Sequence, residues 1–467
     1  MRVTLHAYAT DPALPQRDGV NLAHENITRL MQQANQDRRE VVFHDFNRLL
    51  TEPDYARSVL ADADCVISNI GPHAHYYFQL REKLGLDFRI IRDVRTAIWS
   101  SYLFQEHLCA PFLRSEDVLM VSSHYTRAVY EKIFPHLTRY PTFRCYPLTV
   151  QFPALAPTRP RPRDPGAPVV IGYLGRLSED KNFPDLVRLI IELNRQRAGG
   201  FRLMACGDIH SPSCEPAVIS ADLAAALGPG EWFTHLPARA HDDIWPVLGQ
   251  FDVMLFPSTS NLETFGRVLI EASYAGVPVI CSAHAAAPEL MPASALCEVA
   301  YRRGEWLSAH YDHNMGRTSI ARMAEILLAG ALERPAAHLD YIGHPEKFLR
   351  VLGMSGKSIA ALDSLRLHPA QRRLVEALLV SLPANRDKLA ASKLIDTMAE
   401  WFIGLQQKNS AVRENLLKEL LAITSHPQRT ARYIEKSAET SCDFTNIGGI
   451  DIELCNVAGF QPSFMLK

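Results

Sequence analysis

The sequence predicts an α/β protein with two successive parallel-sheet domains and a helical extension at its C-terminal end. Three observations carry that expectation. Short apolar runs alternate with helix-period segments up to residue 155, and again from 169 to 335. A proline-rich stretch separates the two series. Strand-like runs then stop, and the apolar spacing becomes helical. A chain of 467 residues has room for about three domains. The expected division is 1–155, a hinge at 156–168, 169–335, and an extension at 336–467, part of it packing back on the first domain.

The first series opens with a strand over 2–8. Gly19 starts a helix whose apolar side is Ala23, Ile27, Leu30, Met31 and Ala34, spaced for one helical face. Further strands are expected at 40–46, 65–68, 88–94 and 118–122. Strands interleaved with helices point to a parallel sheet covered on both faces. Six prolines stand between 153 and 168, with Arg159, Arg161 and Arg163 among them. Proline removes backbone donors and stiffens the chain, so this stretch reads as a linker with solvent-facing charge. The second series has strands at 169–174, 201–206, 253–256 and 277–282, and helices at 184–197, 222–227 and 266–274. In the extension, Leu394, Ile395, Met398, Trp401, Phe402 and Leu405 share one helical face. Val412, Leu416, Leu417, Leu420 and Leu421 repeat the pattern, which reads as helix packing. Residues 437–467 read as extended or irregular.

Composition narrows the function classes. Apolar residues are 47% and charged residues 21%, which excludes wholesale disorder. The 49 basic and 51 acidic residues leave a net charge of −2. No third of the chain holds the basic surplus of a nucleic-acid or anionic-membrane binder. The N-terminal run is broken by His6, Thr10 and Asp11, so it lacks the apolar core of a secretory signal. No apolar run approaches the ~18 residues of a membrane span. The nine cysteines are scattered from Cys65 to Cys455 without close pairs, the usage of a reduced cytoplasmic protein.

The chemistry-bearing residues cluster in the second series. An apolar strand ends at Pro257, a polar loop follows, and a helix begins near Gly266. Glu263 precedes that helix and Glu271 lies within it. A helix N-terminus offers unpaired N–H groups and a positive dipole end to an anion. Eight residues of helix span about 12 Å, the distance from a hexose past a pyrophosphate to a ribose. A second segment runs from strand 169–174 through Gly175, Arg176 and Lys181 to a helix start. Two cations beside a helix N-terminus are what a diphosphate leaving group needs. Arginine supplies a fork for two oxygens and lysine a point charge. A third strand ends in Cys206-Gly207-Asp208.

These segments resemble the Glu-x7-Glu signature of retaining glycosyltransferases of the GT-B fold, the glycosyltransferase family 4 type. The flanking Phe-Pro-Ser and Gly-Val-Pro-Val-Ile fit the same pattern. The resemblance implies two Rossmann-like doubly wound domains facing a cleft. It implies that Glu263 contacts hydroxyls of the donor sugar and Glu271 the ribose. Backbone N–H groups of Thr264, Phe265 and Gly266 would meet the phosphates. Arg176 and Lys181 fall on the family's pyrophosphate-binding positions, with Gly175 and Gly207 at the adjoining turns. Gly19 stands where the family usually has a glycine pair. In the first domain, His73 and Arg95 are the candidates to face the sugar. Glu289 follows Ala285-Ala286-Ala287, where the family commonly has Gly-Gly before Pro-Glu, and is a candidate functional carboxylate.

The implied activity is retaining transfer of a sugar from a nucleotide-diphosphate sugar, most commonly a UDP-sugar, to a glycan, lipid or small-molecule acceptor. Asp62-Ala63-Asp64 has the spacing of metal-dependent transferases of another fold, but it sits at a helix-to-strand junction. With two cations and a helix N-terminus on the diphosphate, no metal and no other cofactor is expected. Two alternatives stay open at this point. One is an epimerase or phosphorylase on the same fold, and an epimerase would turn over its donor without an acceptor. The other is a non-catalytic scaffold using the helical extension.

Overall fold

The computed structural model describes residues 1–7, 19–35, 39–69, 74–95, 109, 112–133, 141–144, 166–260, 263–301, 314–330, 332–333, 344–362 and 366–381. They form two all-parallel, six-stranded sheets. The first sheet is built from β1 (Arg2–His6), α1 (Gly19–Ala34), β2 (Glu40–His44), α2 (Phe46–Thr51), α3 (Pro53–Leu60) and β3 (Cys65–Ser68). It continues through α4 (His75–Leu84), β4 (Arg89–Val94), β5 (Val118–Val121), α5 (His124–Ile133) and β6 (Thr142–Arg144). The second is built from β7 (Val169–Leu174), α6 (Phe183–Gln196), β8 (Phe201–Cys206), α7 (Pro216–Leu227), β9 (Phe233–Leu236) and α8 (Ile244–Leu248). It closes with β10 (Val253–Phe256), α9 (Arg267–Tyr274), β11 (Val279–Ser282), α10 (Ala287–Leu290) and β12 (Leu296–Cys297). An antiparallel hairpin, β13 (Val299–Tyr301) with β14 (Gly316–Thr318), is followed by α11 (Ile320–Ala329), α12 (His344–Val351), α13 (Gly356–Ala360) and α14 (Pro369–Ser381).

The central strands β3, β5, β10 and β11 are buried at every position. Continuous apolar runs of this kind suit a parallel sheet covered on both faces. The strand orders are β2-β1-β3-β4-β5-β6 and β12-β11-β10-β7-β8-β9. Each order reverses once, between β1 and β3 and between β7 and β10. Ligands of open α/β sheets bind outside the carboxyl ends of the strands at such reversals.

One face of the first sheet packs Val3, Leu5, Ile27 and Met31 against Phe348, Val351, Leu352 and Ile359, which follow the second sheet in the chain. Arg89 fixes this cover by donating Nη1 to the Met354 carbonyl at 2.6 Å and Nη2 to that of Leu352 at 2.6 Å. At the same N-terminal ends of β4 and β5, the fully buried Arg81 forks onto Asp117 at 2.7 and 2.9 Å. Arg81 also reaches the carbonyls of Phe88 and Phe112, and Asp117 accepts the Ile90 and Arg114 N–H groups.

Several elements differ from the sequence expectation for local reasons. The strand from residue 40 stops at His44 because Asp45 caps α2, accepting the Arg48 N–H at 3.1 Å. Helix α7 starts at Pro216 rather than 222, with proline at its first position. β6, β9 and the hairpin were not expected. β6 is only three residues long, and no position of β9 is fully buried, so neither shows a clear apolar period. The linker up to residue 165, the stripe from Leu394 to Leu421 and the segment 437–467 lie outside the described residues. Among the described residues no helix is long and apolar enough to cross a membrane.

Candidate functional site

A cavity of about 230 Å³ opens at the carboxyl ends of β7, β8 and β10, beside the reversal of the second sheet. Its lining brings together Gly175, Arg176, Lys181, Gly207, Glu263, Gly266 and Glu271, which are up to 96 positions apart between Gly175 and Glu271. A larger groove of about 660 Å³ runs between α6 and α11, lined by Arg188, Arg195 and Leu328 among others, and none of the site candidates reaches it.

Two glycines shape the floor. Gly207 has φ +156, and a Cβ there would stand 1.8 Å from the Gly175 carbonyl oxygen, so the turns after β7 and β8 touch backbone to backbone. Gly266 caps α9 at φ +82, a left-handed conformation that L side chains rarely adopt.

The turn after β7 carries the cations. Arg176 Nη2 donates to Asp180 Oδ2 at 3.2 Å. Asp180 is buried and also accepts the Ser178 hydroxyl and, at 2.8 Å, the Ser260 hydroxyl. Burial opposes its charge, but Lys181 and Arg176 hold the carboxyl below its ordinary value. Asn182, left-handed at φ 55, donates Nδ2 to the Pro257 carbonyl at 3.0 Å and to Thr259 Oγ1 at 2.8 Å. These bonds pin the Lys181 turn to the loop that carries Glu263. Lys181 Nζ then meets Glu263 Oε2 at 2.7 Å, with the two side chains 15% and 14% exposed. Burial works against the Glu263 charge, yet Lys181 holds the carboxyl below its usual range. Behind this loop, His284 Nε2 bonds the Ser260 carbonyl at 3.0 Å and Nδ1 the Tyr301 hydroxyl at 3.2 Å. Burial pushes the His284 imidazole down to about 4, so it is neutral at pH 7.

At the other end of the cavity, Glu271 Oε1 accepts from Arg267 Nε at 2.6 Å and from His241 Nε2 at 2.9 Å. Arg267 is the residue one turn earlier on α9, and His241 stands edge-on to Trp245 just before α8. Burial opposes the Glu271 charge, and His241 and Arg267 outweigh it, keeping the carboxylate ionised.

The remaining candidates distribute unevenly. Thr264 and Phe265 are not in the cavity wall: Phe265 is buried in the apolar core with Leu269, and Thr264 donates its hydroxyl to the Arg95 carbonyl at 3.3 Å. That bond joins the second sheet to the first. The Arg95 guanidinium holds Asp93 at 2.6 Å, and burial pushes the Asp93 carboxyl up despite it. Burial, with the nearby Arg95 charge and the His6 ring adding to it, drives the imidazole of His24 on α1 well down. Asn69 donates to the His6 carbonyl at 3.3 Å, so His6, His24, Asn69 and Arg95 gather near the first sheet's reversal. Gly19 is the first residue of α1. His73 lies outside the described residues.

Glu289 has a different place from the one expected of a functional carboxylate. It accepts the His124 and Tyr125 N–H groups at the start of α5, both at 3.0 Å, with Arg144 Nη1 at 3.2 Å and Gln371 Nε2 at 2.6 Å. It therefore ties the second sheet to the first and to α14. Ala285, where glycine would be at ease, sits at φ 48, and its carbonyl accepts the same Gln371 amide at 2.9 Å. Asp62 and Asp64 lie at the N-terminal edge of the first sheet and bond Arg2, away from the cavity. No cluster of three potential metal ligands occurs among the described residues.

Sequence reasoning missed Arg267, His241, Asp180 and Asn182. The Arg267–Glu271 spacing of one helical turn was a usable signal. His241 lies 30 positions from Glu271 and no local pattern marks it.

Residues 158–294 match the family model of glycosyl transferases group 1. That match spans the turn with Arg176 and Lys181 and the segment from Glu263 to Glu289. Curated relatives include D-inositol 3-phosphate glycosyltransferases. That of Stackebrandtia nassauensis is 34% identical over 122 residues, 26% of this chain and 27% of the relative. That of Nocardia farcinica is 34% identical over 119 residues, 25% of this chain and 26% of the relative. That of Segniliparus rotundus is 25% identical over 228 residues, 45% of this chain and 50% of the relative. The chain thus spans about a quarter of the length of the first two relatives. Similar solved structures include the apo form of the lipopolysaccharide outer core galactosyltransferase WaaB, with TM-score 0.49 and 16% identity over 75% of this chain and 98% of that one. Anabaena Alr3699/HepE in complex with UDP gives TM-score 0.48 and 14% identity over 81% of this chain and 99% of that one.

Proposed function

We propose that the chain is a retaining glycosyltransferase that takes a sugar from a nucleotide-diphosphate sugar, without a metal ion. The observation that supports this most is the convergence of Arg176, Lys181, Glu263 and Glu271 on one cavity at the reversal of the second sheet. The group 1 match over the same stretch supports it further.

In this reading the diphosphate lies between Arg176, Lys181 and the N-terminus of α9, where cations and helix dipole favour an anion. Glu271, fixed by Arg267 and His241, takes the ribose hydroxyls. Glu263 takes sugar hydroxyls. Departure of the nucleoside diphosphate leaves positive charge on the sugar carbon and negative charge on the phosphate. Arg176, Lys181 and the helix end stabilise the latter in place of a metal. Attack comes from the face the phosphate leaves, and the phosphate oxygen accepts the acceptor's proton, so no protein nucleophile takes part. The first sheet, with His24, Asn69 and Arg95 at its reversal, faces the acceptor. The Thr264 to Arg95 bond brings that face against the donor loop and helps exclude water. Uracil is the favoured base because UDP-sugars are the commoner donors among such enzymes.

Melting shifts of the full chain across UDP, GDP and ADP and their sugar esters test the reading. One nucleotide series is expected to stabilise the protein, and Glu271→Ala to weaken its binding about tenfold or more. No shift with any nucleotide would overturn the reading. Unchanged affinity in Glu271→Ala would remove the ribose role.

A further inference from the structure

We infer that the Lys181–Glu263 ion pair senses whether a sugar is attached to the bound nucleotide, opposing the bare nucleoside diphosphate and admitting the sugar-bearing donor. The inference rests on the donor reading above and deepens it.

The two groups assigned to neighbouring parts of the donor are bonded to each other. Lys181 Nζ stands 2.7 Å from Glu263 Oε2 in the cavity wall. A diphosphate that draws Lys181 Nζ across to itself competes with Glu263 for the same charge and lengthens that bond. Glu263 then has little to fall back on. Among the described residues, the other donor on the same oxygen is the Ser258 hydroxyl, at 3.4 Å. His284, behind the loop, has Nε2 on the Ser260 carbonyl and Nδ1 on the Tyr301 hydroxyl. Arg176 is on Asp180, and Asp180 adds negative charge on the same side. A mostly buried carboxylate stripped of its cation is strongly disfavoured.

What the ligand brings decides the exchange. A sugar ring offers hydroxyl donors at the place Lys181 leaves, so the carboxylate trades one partner for others. A bare diphosphate offers acceptors there and sets a second anion beside Glu263. Its ribose hydroxyls are held at Glu271, about one eight-residue helical rise, ~12 Å, away. The pair therefore re-forms once the sugar has gone, and it competes with the spent nucleotide for Lys181. Donor is favoured over product, and product is expelled by the same contact.

Calorimetric titration of the full chain decides it. The ligands are UDP, GDP and ADP, and UDP-glucose, GDP-mannose and ADP-glucose. The proteins are the wild type, Glu263→Gln, Glu263→Ala, Lys181→Ala and the Lys181→Ala/Glu263→Gln double variant. The bare diphosphate of the series that binds is expected to bind Glu263→Gln and Glu263→Ala about tenfold tighter, 1.4 kcal/mol, while its sugar ester gains nothing. The gain is expected to vanish in the Lys181→Ala background, where simple repulsion by Glu263 would leave it. Unchanged or weaker binding of the bare diphosphate in both variants overturns the inference, and so does a gain that survives without Lys181. Both leave the donor reading standing, whereas failure of every ligand to bind the wild type overturns that reading and the inference with it.

Discussion

At the N-terminal ends of the first sheet's strands, Arg81 grips Asp117 with two parallel bonds. At the carboxyl ends of the second sheet's strands, Lys181 touches Glu263 with one. Both are ion pairs taken largely out of water. The first is walled in: Arg81 is fully buried, and both partners hold main-chain groups of β4 and its surroundings. The second borders a cavity, and its lysine is a point charge that a different anion serves as well. The difference teaches how to tell an ion pair that builds the fold from one that waits for a ligand. The building pair is forked, closed and tied to the main chain. The waiting pair is single and faces open volume.

The contrast breaks or sharpens under mutation. Arg81→Ala is expected to lose about 3–5 kcal/mol in urea unfolding, because Asp117 stays buried without its cation. Lys181→Ala is expected to lose less, about 1–2 kcal/mol, because Glu263 loses its cation but borders the cavity instead of being walled in. Equal losses in the two variants would erase the distinction.

A pH effect follows from two neutral histidines, His44 in the first sheet and His284 beside the second. His44, between Thr4 and Tyr77, is driven by burial to about 3, and His284 to about 4. Both folded values lie below the ~6.5 of an unfolded imidazole. Their contribution is thus complete above about pH 6.5 and is lost as pH falls from there toward 4, where the unfolded chain binds the extra protons. Melting temperature is expected to drop over that window, at up to about 1.4 kcal/mol per pH unit for each histidine. A flat profile between pH 6.5 and 4.5 would show that neither imidazole is held neutral.

The smallest expected effect is at the junction of the sheets. Ala285 occupies left-handed backbone, which costs an L residue about 1–2 kcal/mol. Ala285→Gly is expected to raise stability by about 1 kcal/mol or less in the same unfolding experiment, part of the relief being offset by glycine's greater freedom when unfolded. A loss instead would mean that the alanine methyl packs to more effect than the strain costs.

What was legible in the sequence was whatever lies close together along it. The α/β alternation, the turn with Arg176 and Lys181 and the Glu263–Glu271 spacing are local patterns, and the cavity unites those residues. What was illegible depends on contacts across long separations. Asn182 reaches Thr259, His241 reaches Glu271, and Gln371 reaches Glu289, and no spacing rule announces such pairs. Glu289 shows the same limit from the other side. Its neighbourhood suggested a site carboxylate, and only the packed arrangement reveals it at the start of α5. The edge strands β6 and β9 escaped because short, half-exposed strands carry little apolar period.

The cover of the first sheet by residues 348 to 359 has a consequence for the order in which the molecule is made. A ribosome delivers β1 to β6 first, but Val3, Leu5 and Ile27 have no complete partner face until Phe348 and Ile359 have emerged. By then the whole second sheet has been synthesised. The half that starts the chain is therefore the half that finishes folding last. A chain stopped at residue 340 would release a second sheet with its cavity lining intact and a first sheet whose one side is covered by α1 but lacks Phe348, Val351, Leu352 and Ile359.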